Sequence, residues 1–127
     1  MFHYTLDTSK SMKEAVHSLE SSLKEEGFGV LWSFDIQETL QKKGFEFEQP
    51  FLVLEVCNPK EANRVLAKNH MAGYFLPCKI VLYQEENKIK IGLPKPTALI
   101  QMVNDESLNK IAQDIEERLI ACMNKAI

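Results

Sequence analysis

FLVLEVCNPKEANRVLAKNHMAGYFLPCKIVLY, residues Phe51 to Tyr83, is the stretch on which the reading of the fold turns. Phe51 to Cys57 is apolar on both alternating faces: Phe51, Val53, Glu55 and Cys57 point one way, Leu52, Leu54 and Val56 the other. A strand of that composition is expected to be covered on both sides and central in its sheet. Asn58 then supplies an N-cap, Pro59 stands at N1 where its missing N–H costs nothing, and Glu61 completes an Asn-x-x-Glu box. The helix opened by this cap should turn Ala62, Val65 and Leu66 inward, and Asn69 with Gly73 lets the chain leave it. Cys78 to Tyr83 is the next strand. Such a strand-helix-strand unit usually returns parallel through a right-handed crossover. On that expectation Cys57 and Cys78 lie at opposite ends of the sheet, ~20 Å apart, whereas a disulfide needs Cα atoms within ~7 Å.

Toward the N-terminus, Phe2, Tyr4 and Leu6 alternate with His3 and Thr5, the period of a half-buried strand. Ser11 and Glu14 form a capping box, opening a helix whose stripe is Met12, Ala15, Val16, Leu19 and Leu23 and which Gly27 closes. His17 falls off the stripe and reads as a solvated side chain. Phe28 to Phe34 alternates Phe28, Val30, Trp32 and Phe34 against Gly29, Leu31 and Ser33, so the aromatic face is expected to anchor a core. Asp35 with Glu38 starts a short helix that turns Ile36 and Leu40 inward and stops near Gly44. Phe45 to Pro50 reads as loop, with a short strand as the alternative.

Toward the C-terminus, Glu85 to Lys88 is a hairpin turn. Lys88 to Leu93 returns with Ile89, Ile91 and Leu93 inward and lysines outward, a pattern that suits a sheet edge. Pro94 and Pro96 break the structure, and residues 97–103 fit either a helical turn or a strand. From about Asp105 to Ala126, Leu108, Ile111, Ala112, Ile115, Leu119, Cys122, Met123 and Ala126 form one helical stripe. The order β-α-β-α-β-α-β-β-α predicts an α+β domain over residues 1–127, a mixed sheet of about five strands with helices packed on it.

At 127 residues and 45% hydrophobic, one core and one domain are expected. A net charge of −3 gives no basic field for nucleic acid, and no apolar run reaches the ~18 residues of a membrane span. Three cysteines without a paired framework suit reduced thiols, which places the chain in the cytoplasm. There is no P-loop, G-x-G-x-x-G, H-E-x-x-H or C-x-x-C, and His3, His17 and His70 never reach ligand spacing. Neither a metal nor a cofactor is expected.

Val56 to Pro59 (VCNP), Ala62, Leu66, Ala72 to Tyr83 (AGYFLPCKIVLY) and Glu25 to Leu31 (EEGFGVL) together resemble the domain of unknown function family numbered 302. The resemblance covers the chain from its first helix to its last. It implies a small single-domain bacterial or archaeal α+β protein that dimerises, with no activity to carry over. By the family pattern the residues to watch are Cys57, Asn58, Pro59, Pro77 and Cys78.

Each has a plain structural reading. Asn58 and Pro59 are explained as cap and first-turn residue. Cys78 shares parity with Ile80 and Leu82 and Cys122 lies on a helical stripe, both positions for a small core residue. Glu55 sits on an apolar face, where a carboxylate must find a donor, reach solvent or carry function. Two functions fit these residues: a dimeric ligand-binding or protein-interaction module without catalysis, or a thiol-dependent redox or metal-linked activity centred on Cys57. The binding candidates are Glu55, Cys57, Asn58, Pro59, Pro77 and Cys78. Cys57 stands just before the start of a helix whose N-terminal partial charge favours a thiolate, while Glu55 on the same face opposes it.

Overall fold

In the computed structural model, which describes residues 1–127, the strands are β1 (His3–Thr8), β2 (Gly29–Asp35), β3 (Phe51–Cys57), β4 (Cys78–Glu85) and β5 (Lys88–Pro94). The helices are α1 (Met12–Glu25), α2 (Ile36–Lys42), α3 (Pro59–Lys68), α4 (Pro96–Ile100) and α5 (Asn109–Ala126), with 3₁₀ turns at His70–Phe75, Gln101–Val103 and Glu106–Leu108. The class is α+β, and the strands form one sheet in the order β1-β5-β4-β3-β2. No helix is long and apolar enough to cross a membrane.

All four strand pairs are antiparallel, which corrects the expected mixed sheet. The reason lies in the connections. α2 has seven residues and α3 ten, about 10 and 15 Å of helix. After each, a further segment brings the chain back to the end it left, so Leu52 pairs with Asp35 and Cys78 with Val56. Of the helical connections between strands, α1 alone crosses the sheet, joining β1 and β2, which run the same way at opposite edges. Cys57 and Cys78 are therefore at neighbouring strand ends rather than distant ones. They face opposite sides, because Cys78 lies across from Val56, and a residue next to Val56 along the strand points the other way. All three cysteines are free thiols.

Burial is concentrated on one face, with Val53 and Gly92 the buried strand residues of the other. Leu54 and Val56 of β3, Ile80 and Leu82 of β4, and Ile91 and Leu93 of β5 share a core with Leu19 and Leu23 of α1, Val65 of α3 and Ile115, Leu119 and Met123 of α5. The opposite face carries Phe51, Tyr83, Trp32 and Phe34 and has no helix of that core on it. Trp32 belongs there because the β2–β3 register shifts between Val30 and Trp32. This bulge absorbs Leu31 and inverts the alternation that would have turned Trp32 inward. Trp32 remains 54% exposed and stacks on Phe34 at 5.3 Å.

Three further positions differ from their expected places. β4, not β3, is the central strand, with β3 next to it. β5 is interior, and its Lys90 is accommodated by Asp7 of β1 at 2.8 Å. On α3 Leu66 is outside and Glu61, 3% exposed, takes the inward turn with Val65. Residues 97–103 are helical, continuing through α4 and a 3₁₀ turn. The hairpin turn is as read: Glu86 and Asn87 both adopt positive φ, the geometry of a two-residue type I′ connection.

The buried Glu61 carboxylate has partners. Arg118 of α5 donates to it at 2.5 Å and Arg64 at 2.6 Å, while Arg118 also donates to the Glu26 carbonyl at 3.0 Å and lies 5.3 Å above the Phe28 ring. One guanidinium thus ties α3, α5 and the α1–β2 turn together. Removing a partner from a buried ion pair leaves an uncompensated charge. Arg118→Met should cost about 2–3 kcal/mol, less than a pair with no second cation because Arg64 stays. Pairing it with Glu61→Leu should recover most of that loss, as read by urea denaturation of the single and double variants.

Candidate functional site

A half-open cavity of about 430 Å³ occupies the end of the sheet where β3 stops, β4 starts and β5 stops. Val65 of α3 and Ala112 and Ile115 of α5 line it on the helical side. The connection from α3 to β4 supplies Ala72, Tyr74, Phe75, Leu76, Pro77 and Cys78, and the β5–α4 corner supplies Pro94, Pro96, Leu99 and Ile100. Glu55 and Lys79, cross-strand partners whose parity turns their side chains to the face away from the helices, border it at the strand ends.

Local sequence builds each wall. Asn69 closes α3 and its side chain accepts from Met71 N–H, starting the 3₁₀ turn that carries Tyr74 and Phe75. The Leu76–Pro77 peptide bond is cis. Thr97 donates from both its N–H and its hydroxyl to Glu116 of α5, at 3.1 and 2.7 Å, which fixes the first turn of α4 and with it Leu99 and Ile100. Tyr74 is 81% exposed and forms part of the rim.

Of the residues singled out in the sequence, Glu55, Pro77 and Cys78 line this cavity, and Cys57, Asn58 and Pro59 do not. Cys57 is paired with Gly29 of β2 on the far face. Asn58 is buried as a helix cap: its side-chain oxygen accepts from Lys60 and Glu61 N–H, and its amide donates to the Glu26 carbonyl at 3.2 Å. Gly27, at φ +82°, leaves room for that amide, since a Cβ there would stand 3.1 Å from Asn58 Nδ2.

The thiols are held neutral. Burial pushes the Cys57 thiol above its ordinary range. Burial, with a smaller contribution from Cys57, pushes Cys78 up to about 11. No group of three or more His, Cys, Asp or Glu side chains is arranged to hold a metal ion.

Sequence reasoning passed over Lys79, Tyr74, Leu99 and Ile100. A signal was present in three prolines that all line the cavity: Pro77 precedes β4, Pro94 ends β5 and Pro96 opens α4. A proline where a strand starts or stops turns the chain away from the ladder, and two such corners at one end of a sheet leave a space.

Because the thiolate is the reactive form, native Cys57 and Cys78 should react with iodoacetamide at pH 7.5 much more slowly than in denatured chain, Cys78 the slower, read by peptide mass. A folded pKa above the unfolded value of ~8.5 means that stability is fully present below about pH 8.5 and falls as pH rises through about 11. Cys78→Ala should lose that part of the alkaline destabilisation, seen in denaturation midpoints at pH 8 and pH 11 against wild type.

Comparison with known proteins places these features in a family. The profile described as domain of unknown function DUF302 matches residues 4–126. The chain is also similar to the crystal structure of an uncharacterized conserved DUF302 protein from Bacillus stearothermophilus, with 57% identity and a TM-score of 0.98 over 100% of this chain and 99% of that one. No curated protein matches it.

Proposed function

The chain belongs to the domain of unknown function DUF302 family, and from that premise we propose that it is a non-catalytic, homodimeric binding module of the cytoplasm, folded as one domain, whose cavity takes a small and largely apolar ligand. The observation that carries the reading is the cavity itself: about 430 Å³, with ten of its fifteen lining residues hydrophobic and two charged side chains. Small-molecule sites have this size and make-up, an apolar lining with a few polar groups that set orientation. Thiol chemistry at Cys57 or Cys78 has less support, because both thiols are pushed up and away from the reactive form.

Dimerisation draws support from the uncovered sheet face. There Trp32 stacks on Phe34 and Phe51 on Tyr83, at 5.3 and 5.2 Å, and an aromatic cluster of that kind is a contact surface. Trp32 is the direct cross-strand partner of Glu55, so a second copy seated on this face would also lie against Glu55.

Ligand binding is tested by NMR with a library of apolar fragments. Shifts are expected at Leu76 to Lys79 and at Leu99 and Ile100, and Leu99→Trp, which fills the space, should abolish them; a library that moves none of these resonances overturns the reading. Light scattering coupled to size exclusion should give twice the chain mass of 14.6 kDa. Trp32→Glu should return the mass to that of one chain with an unchanged circular dichroism spectrum.

A further inference from the structure

Glu55 of β3 and Lys79 of β4 are cross-strand partners on the sheet face that no core helix covers. Opposite charges so placed are within reach of each other, and Asp7 and Lys90, in the equivalent relation on β1 and β5, do close at 2.8 Å. Glu55 and Lys79 do not, and neither takes part in any of the chain's ion pairs. The strand register arranges their neighbours in rows across the face. One row runs Trp32, Glu55, Lys79 and, with the β4–β5 register extended by two residues, Pro94. The next runs Phe34, Val53, Val81 and Gly92, and the third holds Phe51 and Tyr83. About the line between β3 and β4 the rows balance: an anion against a cation, a valine against a valine, a phenylalanine against a tyrosine. The large aromatics of β2 stand opposite a glycine and a proline of β5.

We propose that a second copy of this chain docks on this face about a two-fold axis running along the strands between β3 and β4, so that Glu55 pairs with the partner's Lys79 and Lys79 with the partner's Glu55. The inference rests on the dimer reading above and specifies its geometry. A two-fold axis lying in an isologous interface reflects one face onto the other, so mutual pairing of two charges fixes the axis as the line midway between them. Val53 then meets the partner's Val81 and Phe51 the partner's Tyr83. Phe34 meets the partner's Gly92, whose missing side chain leaves room for the ring. The strands of the two sheets are aligned, the ordinary geometry of faces packed ~10 Å apart. An axis across the strands matches unlike chemistries instead. Drawn through the Val53 row it sets Glu55 and Lys79 against the partner's Phe51 and Tyr83, and drawn through their own row it sets each charge on its like, both costly for charges taken out of water.

The test exchanges charges between chains. Glu55→Lys gives a chain with two lysines beside the axis, and Lys79→Glu a chain with two glutamates. Each alone should dimerise at least about tenfold more weakly than wild type in light scattering across a concentration series, the worth of one hydrogen bond to a charged group. Mixed in equal amounts, with one of them ¹⁵N-labelled, they should form dimers of one chain of each kind in native mass spectrometry. Both contacts across the axis are then between opposite charges, while the neighbours within each chain stay alike, so rescue on mixing reports the contact between chains alone. Both side chains lie outside the hydrophobic core, and matching circular dichroism spectra confirm that the variants fold. Wild type supplies a second measurement: in a mixture of ¹³C-labelled and unlabelled chains, isotope-filtered NOEs should join the Phe34 ring to the Gly92 Hα. Within one chain these residues are three strands apart, ~14 Å, too far for such a contact. A wild-type dimer in which mixing restores nothing, in which the charge variants associate as wild type does, or in which the Phe34 to Gly92 contact is missing has its axis elsewhere; the assignment is then overturned while the dimer reading stands. If wild type stays monomeric at every concentration, both fall together.

Discussion

One-sided burial governs this molecule. A five-stranded antiparallel sheet has two faces, and a chain of this length places α1, α3 and α5 against only one. α5 is the middle of that layer, in contact with α1, α3 and α4. Its fit to α1 is close: the Ser22 hydroxyl donates to the Cys122 carbonyl at 2.8 Å, and the Cys122 thiol donates to the Ser22 carbonyl at 3.4 Å. Small side chains at that crossing let the two helices approach, which is a sufficient account of Cys122. The Arg118 guanidinium then orients the layer, because it reaches two elements of different sequence origin from a single helix position. Apolar stripes alone would hold the helices to the sheet with less control of their rotation.

The uncovered face is a consequence of the same constraint. Its residues have the alternate parity of every strand, and the sequence supplies them with a mixture of aromatics and charge pairs. At the β1–β5 side Asp7 accepts from Lys90, which lets lysines sit on an interior strand without a buried unpaired charge. Toward β2 the face becomes aromatic instead. One face thus carries a charge-paired half, a stacked aromatic half, and between them at one end the unpaired Glu55 and Lys79.

Element boundaries were legible in the sequence because they are set by local chemistry. Ser11 with Glu14, Asp35 with Glu38 and Asn58 before Pro59 each open a helix where the side chain accepts the first free N–H groups. Strand direction was not legible in the same way. Whether a helix crosses a sheet or doubles back depends on its length relative to the strands and on the segment that joins it to the next strand, and the 3₁₀ turn after α3 carries no strong local signature. The face of Trp32 was hidden for a related reason: a bulge of one residue inverts parity, and Leu31 in a run of apolar residues gives no sign of being the extra one. Lys90 misled because lysine marks an edge only where no carboxylate faces it.

The candidate site was the least legible part, since it is built by tertiary convergence. Asn58 and Pro59, the most distinctive dipeptide in the central stretch, turn out to be spent on starting α3 and locking the α1–β2 turn. The cavity is made by residues that are ordinary one at a time: an exposed tyrosine, two prolines at strand ends and a third that opens a five-residue helix, and the leucine and isoleucine of that helix. Glu55 was the exception, because a carboxylate on an apolar strand face poses a question that local structure does not answer. Its cross-strand neighbours are Trp32 and Lys79, and its parity places it on the sheet face away from the helices, where partial exposure to solvent answers that question.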